Sequence, residues 1–319
     1  MRLDQQARWL TPFGYAAALL SGLLMGLTWV ILKIILNTGV LGPADLNWLN
    51  MIGMSLIIWP VYLLRHRGRL FPREAPWRWL LVFALLASTI FYARNLGVGI
   101  CGATTAAIVS RVETAFVFLL TYLVLRQAVG RLGWFGSALL VAGALHTAGV
   151  GSGEVRVDLL GIGALMLAAL CIALNAVIIK TQFGRVPNEL VILASATVQT
   201  TVFSIAVPAF VGLDGVRAAL ADPRLLGLVA LAALVITANL FSYYYAMKRV
   251  PMWAARMLAL LAPPVAVVAD YLVLGTPVSA GALQGLALVL AGATLVILSG
   301  RADGGGNAPA ADTTKGEAP

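Results

Sequence analysis

Tyr122-Leu123-Val124-Leu125 returns 149 residues later as Tyr271-Leu272-Val273-Leu274. At the same offset Val129 matches Val278 and Gly136 matches Gly285. Ala138-Leu139 matches Ala287-Leu288, and Ala142-Gly143-Ala144 matches Ala291-Gly292-Ala293. Identities of Leu, Ala and Val are common in apolar sequence; Gly and Tyr matches at one offset, without a gap, indicate an internal repeat. The first half of the chain, residues 1–150, is therefore expected to be built like the second, 151–300.

Working outward, both stretches lie in long apolar runs. Of 319 residues 61% are hydrophobic and 11% charged, with a mean hydropathy of +0.92. A soluble domain is nearer a quarter charged, and disorder needs low hydrophobicity, so both classes are excluded. A spanning helix needs about 20 apolar residues. Ten such runs occur, near 14–36, 46–64, 78–98, 103–125, 133–150, 159–180, 189–211, 225–247, 252–274 and 279–299. They are continuous rather than alternating, which favours helices over barrel strands. The first run is too long for a signal-peptide core and is read as a retained span. The tail 301–319 is low-complexity and expected to be disordered and cytoplasmic.

Five spans per repeat is an odd number, so the second copy must enter the membrane inverted. The charges agree. Arg126 and Arg131 follow the fourth span, but no Lys or Arg follows the ninth; Lys248-Arg249 precede the ninth, but none precedes the fourth. With cytoplasmic termini, fifteen of the 22 basic residues fall inside and three (Arg156, Arg217, Arg224) outside, leaving Lys33, Arg94, Arg111 and Arg256 within spans. The net charge of +9 is thus a topology signal, with anionic lipid as a secondary partner and no nucleic acid implied. The fold expected is an all-α integral membrane protein with ten transmembrane helices as two inverted five-helix repeats. Inverted repeats mark secondary transporters, with the site near the midplane between the halves.

The stretch Met25-Gly26-Leu27-Thr28-Trp29-Val30-Ile31-Leu32-Lys33 resembles the first helix of EamA-type members of the drug/metabolite transporter superfamily. So does the half running through Pro263-Pro264-Val265, Tyr271-Leu272-Val273-Leu274-Gly275, Gly285 and Ala291-Gly292. The resemblance covers residues 14–300. It implies a small-solute carrier of the inner membrane working by alternating access, driven by a proton or by exchange. Amino acids, amines and drug-like solutes are among the superfamily's substrates. The chain departs from the family pattern where a Glu often follows the Leu-Gly after the fourth and ninth spans: Gln127 and Thr276 stand there. Thr114 replaces the fourth-span proline matched by Pro263.

An ionised group deep in a bilayer costs at least about 2.5–3.5 kcal/mol on insertion scales and marks function by default. Glu113, ten residues into the fourth span, is a candidate proton carrier or partner for a substrate amine; the alternative is a structural pair with Arg94, Lys33 or Arg111. On a regular α-helix residues 111 and 113 point about 200° apart, so Arg111 and Glu113 are not expected to face each other. Arg111 offers a bidentate fork to a carboxylate, or pairs within the protein. Arg94, beside Tyr92 and Asn95 near the outer end of the third span, binds solute or snorkels; Lys33 is expected to snorkel. Asp270 and Arg256 are expected near the interfaces.

Asn175, Gln199 and Asn239 either bind solute or hydrogen-bond across helices. Trp29, mid-span, stacks on a solute or packs the core. Tyr243, Tyr244 and Tyr245, and Trp77 and Trp79, read as interfacial aromatics. Pro263-Pro264 should kink or break the ninth span and serve as a gating hinge. Gly22/Gly26 and Gly281/Gly285 suit close packing within a monomer, with a homodimer through the tenth span as the second arrangement. Cys101 and Cys171 read as unpaired thiols. His146 stands alone, and no P-loop, nucleophile elbow or metal-ligand spacing occurs. No cofactor, metal or enzymatic activity is therefore expected. The alternative class is a membrane-embedded enzyme or a lipid-modifying or flipping protein, which would need a catalytic cluster that the short loops do not carry.

Overall fold

The computed structural model describes residues 3–65, 75–125, 131–147, 158–183, 186–249 and 258–304. Arg256, Gln127, the loop basic residues Arg67, Arg69, Arg73, Arg126, Arg156 and Arg185, and the tail beyond residue 304 lie outside these. The described residues are helical, with no strand among them. Six helices are long and apolar enough to cross a membrane: Phe13–Asn37, Pro43–Arg65, Trp77–Cys101, Leu159–Ile179, Asn188–Val211 and Pro223–Ala246. They belong to α1 (Leu3–Asn37), α2 (Pro43–Arg65), α3 (Trp77–Cys101), α7 (Leu159–Gln182), α8 (Asn188–Ala206, continued by a π turn to Val211) and α10 (Pro223–Arg249).

The other expected spans are shorter or interrupted. Residues 103–125 form α4 (Ala103–Val109), a 3-10 turn (Ser110–Val112) and α5 (Glu113–Leu125). α6 (Arg131–Thr147) has 17 residues. The region 252–274 contributes α11 (Ala262–Ala269) and a π turn (Asp270–Leu274). In α12 (Ala280–Gly304) the apolar part is Ala280–Val296, and the helix runs four residues into the expected tail. A short surface helix, α9 (Asp214–Ala221), precedes α10. Asp158 and Asp222 start α7 and α10 by accepting bonds from the freed N–H groups of Leu160 and Gly161, and of Arg224 and Leu225.

Helix packing carries the repeat. α1 lies along α10 as α3 lies along α7. α1 meets α11 as α7 meets α5, and α3 meets α8 as α10 meets α2. Each contact has a partner in which the halves exchange roles, as a two-fold relation requires. α6 against α12 and α2 against α8 join equivalent segments directly, and α4 of the fourth span meets α11 of the ninth. The glycines matched in sequence sit at the α6–α12 seam. A Cβ on Gly136 would lie 2.8 Å from the Gly292 carbonyl oxygen, and one on Gly143 would lie 2.9 Å from that of Gly285. The offset of 149 turns the first pair into the second. This glycine face is spent on intramolecular packing.

The α2–α8 seam is different, a polar ladder along antiparallel helices. Trp48 Nε1 donates to Ser204 Oγ (2.8 Å), Ser55 and Thr200 hydroxyls pair (3.0 Å), and Trp59 Nε1 donates to Thr197 Oγ1 (3.2 Å). Arg65 closes it on Glu189 at 2.6 Å. α4, made of small residues, is at the centre: Ala103, Ala106, Ala107, Ile108 and Val109 are buried completely. The exterior carries Leu56, Leu64, Phe210 and Leu272, each at least 70% exposed, the apolar surface a protein presents to lipid.

Candidate functional site

Gly102 adopts φ +85°, a left-handed conformation glycine tolerates, and so α4 can begin one residue after α3 ends. Seven residues later the chain tightens into the 3-10 turn Ser110–Val112. At three residues per turn, positions 111 and 113 approach to about 120° apart, against about 160° on an α-helix. The long guanidinium spans the rest: Arg111 Nη1 lies 3.5 Å from Glu113 Oε1. The expectation that these two charges do not face each other is thereby corrected. Arg111 is 2% exposed, and its Nη2 approaches Met25 Sδ at 3.6 Å. Glu113 is 14% exposed. Burial without a partner would be costly for either, and the pair offsets that cost.

The second copy breaks at the same place. A turn at Leu260–Leu261 interrupts the helix, and the offset of 149 maps Ser110–Val112 onto Ala259–Leu261. Of the kink or break expected at Pro263-Pro264 the structure has the break: the prolines stand in the first turn of α11, where a missing N–H costs least. The price falls on the carbonyls four residues back, which no proline N–H can reach. One of them, Ala259 O, accepts from Arg111 Nη1 at 3.5 Å. The broken helices thus meet through a side chain of one break and an orphan carbonyl of the other.

Trp29 and Arg94 are also brought together. The Arg94 guanidinium lies 4.4 Å from the Phe91 ring centroid and 5.6 Å from that of Trp29. The other candidates disperse. Tyr92, 40% exposed, points off the opposite side of α3 with its ring 6.3 Å from Phe203. Asn175 Nδ2 donates to the Phe83 carbonyl (3.3 Å), and Gln199 Nε2 to Ser195 Oγ (2.9 Å). Asn239 accepts from Ser21 Oγ (2.7 Å), tying α10 to α1. Asn175 and Asn239 therefore make bonds between helices, whereas Gln199 bonds within α8.

Two further arrangements were not read as sites in the sequence. At the end carrying Arg65 and Asn188, a cavity of about 440 Å³ opens between α1, α2, α8 and α10. It is lined by Ala17, Arg65, Asn188, Glu189, Phe241, Ser242, Tyr244 and Tyr245, so both halves contribute. Glu113 does not line it. Two of the three tyrosines read as an interfacial belt face this space. At the opposite end Asp270 is 3% exposed, not interfacial. Its Oδ2 accepts from Thr104 N (3.1 Å) and Thr104 Oγ1 (2.6 Å), and its Oδ1 from Thr276 Oγ1 (3.1 Å). The free N–H groups at the start of α4 explain why a carboxylate is stable there. Thr276, where the resemblance would place a Glu, here donates to the Asp270 carboxylate. Lys33 Nζ donates to Gly99 O (2.8 Å) in the last turn of α3, where a cation is favoured; it does not simply snorkel. Asp270 replacing neutral Thr121 was the one sequence signal for this cluster.

A repeated, apolar, all-helical chain with helix breaks facing across its halves defines a multi-pass membrane protein of the transporter type. The EamA-like transporter family model matches residues 12–148 and again 159–298, one match per half, and the chain belongs to that family. A solved structure described only as a crystal structure of a protein aligns at 19% identity over 90% of this chain and 99% of that one, with a TM-score of 0.62; it is one of 27 matching chains and supports the fold. No curated protein gives a significant match.

Proposed function

We propose that this protein is a secondary active transporter of a small solute in the cytoplasmic membrane. Ten spans would form two inverted repeats with both termini cytoplasmic. The solute binds between the halves, and the protein alternates its access, driven by a proton or by exchange. The observation that carries this reading is asymmetric closure of a symmetric architecture. At the basic, cytoplasmic end a cavity of about 440 Å³ separates helices of the two halves. At the other end Asp270 of the second half grips Thr104 of the first. A two-fold-related machine open at one end and latched at the other is half of an alternating-access cycle. Glu113 and Arg111 at the facing breaks suit coupling, because separating the pair on protonation would alter the contact that joins the breaks.

The test is a reversible lock. In a chain with Cys101 and Cys171 replaced by Ala, Thr104→Cys and Asp270→Cys should form a disulfide on oxidation. Solute flux in proteoliposomes should stop and return with reductant. Undiminished flux through fully cross-linked protein would show that this end need not open.

A further inference from the structure

Most polar atoms buried in this protein have partners, as is general for folded proteins. Among the described residues thirteen buried side-chain atoms lack one; Asp45 Oδ1, Arg111 Nε, Ser137 Oγ, Asn175 Oδ1 and Gln199 Oε1 are scattered, and the other eight concentrate in one layer. Trp29 Nε1, both side-chain amide atoms of Asn47 and of Asn95, Asn50 Oδ1, and Arg94 Nε and Nη2 are buried without any hydrogen bond. Trp29 lies eight residues before the end of α1; Asn47 and Asn50 lie four and seven after the start of α2; Arg94 and Asn95 lie seven and six before the end of α3. At 1.5 Å per residue all five stand roughly 6–12 Å below the same end of the bundle. Three adjacent helices therefore present unsatisfied donors and acceptors at one depth.

The layer has a sign. Among the described residues Arg94 has no carboxylate within 4.0 Å, whereas Arg111 has Glu113. Phe91 and Trp29 flank the guanidinium, and neither carries a charge. A planar cation whose Nε and Nη2 are buried without hydrogen bonds calls for a planar anion. Lys33, at the same depth on α1 and bonded to the Gly99 carbonyl, adds a second cation, so a cationic solute would be repelled. The amides and the indole N–H supply further hydrogen bonds, and the aromatic walls accept an apolar body.

We infer that the transported solute is a small carboxylate, its carboxyl group received by Arg94 with Trp29, Asn47, Asn50 and Asn95 around it. This rests on the transporter reading and names the substrate class of that site. The layer lies about 18 Å from Ala17 in the open cavity, twelve residues along α1, so solute reaches it past the Asp270 end.

The full-length protein in detergent is titrated with benzoate, 3-phenylpropionate and pyruvate, each beside its primary amide, with sodium chloride as a separate arm. Binding is followed by thermal shift and tryptophan fluorescence. At least one acid should bind about tenfold or more tighter than its amide, and chloride should not compete. Arg94→Gln and the charge-preserving Arg94→Lys should each lose that selectivity, while Arg217→Gln, on the exposed surface, should retain it. The inference is overturned if no acid binds, if amide or chloride binds as well as acid, or if both Arg94 variants keep wild-type selectivity. Should Arg94→Gln fail to fold, the acid–amide comparison on the unaltered chain still decides. Acid-selective binding without flux would sink the transporter reading alone. Flux of a cation or neutral solute without acid binding would sink this inference alone.

Discussion

Gly292→Ala tests the seam that joins the halves. Replacing a helical glycine by alanine normally stabilises a helix by about 0.5–1 kcal/mol, because alanine has less backbone freedom to lose. At Gly292 the new Cβ would meet Gly136 O at 2.6 Å and Leu140 N at 2.6 Å, both backbone atoms of α6. Ordinary contact needs about 3.5 Å, so α6 and α12 must part locally by roughly 1 Å. Overpacking of this kind costs about 1–3 kcal/mol. The penalty exceeds the gain, and the variant should be less stable by about 0.5–2 kcal/mol. Gly163→Ala on α7 is the matched control. Nothing lies within 4 Å of its Cβ, so only the gain remains. Gly143→Ala occupies the repeat-equivalent position, with Leu288 Cβ at 2.7 Å and Val289 N at 2.8 Å, and should behave like Gly292→Ala. Reversible SDS titration in mixed micelles, read by near-ultraviolet circular dichroism, measures all three. Equal stability of Gly292→Ala and Gly163→Ala would refute the backbone-on-backbone seam and the two-fold relation drawn from it.

Glu113→Gln should abolish solute flux in proteoliposomes while the protein remains monodisperse on size exclusion; normal flux would remove Glu113 from coupling. Asp270→Asn removes a carboxylate that accepts three bonds, a loss of about 1–3 kcal/mol at the latched end. Labelling of Thr276→Cys by an impermeant maleimide should rise in that background, and unchanged labelling would count against a latch. Alkaline phosphatase fused after Arg301 should be inactive, as a cytoplasmic C-terminus requires; an active fusion reverses the topology. In the α2–α8 ladder, Ser55→Ala with Thr200→Ala should show a coupling of about 0.6 kcal/mol in a double-mutant cycle, the size typical of bonds between membrane helices.

Arg111 and Glu113 show where sequence reading stops. Their presence in an apolar run was visible, and so was the rule that such charges need partners. A regular α-helix would hold them about 160° apart, and the 3-10 turn brings them closer. Pro263 and Pro264 were legible as a disruption, but the break falls before them and the orphan carbonyl is taken up by a residue 148 positions away. Asn47 and Asn50 drew no attention in the sequence, because an amide in a span usually has a neighbouring helix to bond. Only three-dimensional packing reveals that theirs do not.

The sequence by itself determined the class, the repeat and the charge bias. These follow from composition, span length and periodicity, which act locally along the chain and survive without knowing any contact. Which glycines would touch was decided by the tertiary structure. So were the end at which the halves part, the carboxylate that latches the other end, and the cation left without a counter-charge. Those depend on helices far apart in sequence meeting at a particular depth and rotation, and a single tightened turn is enough to swing a side chain from one neighbour to another.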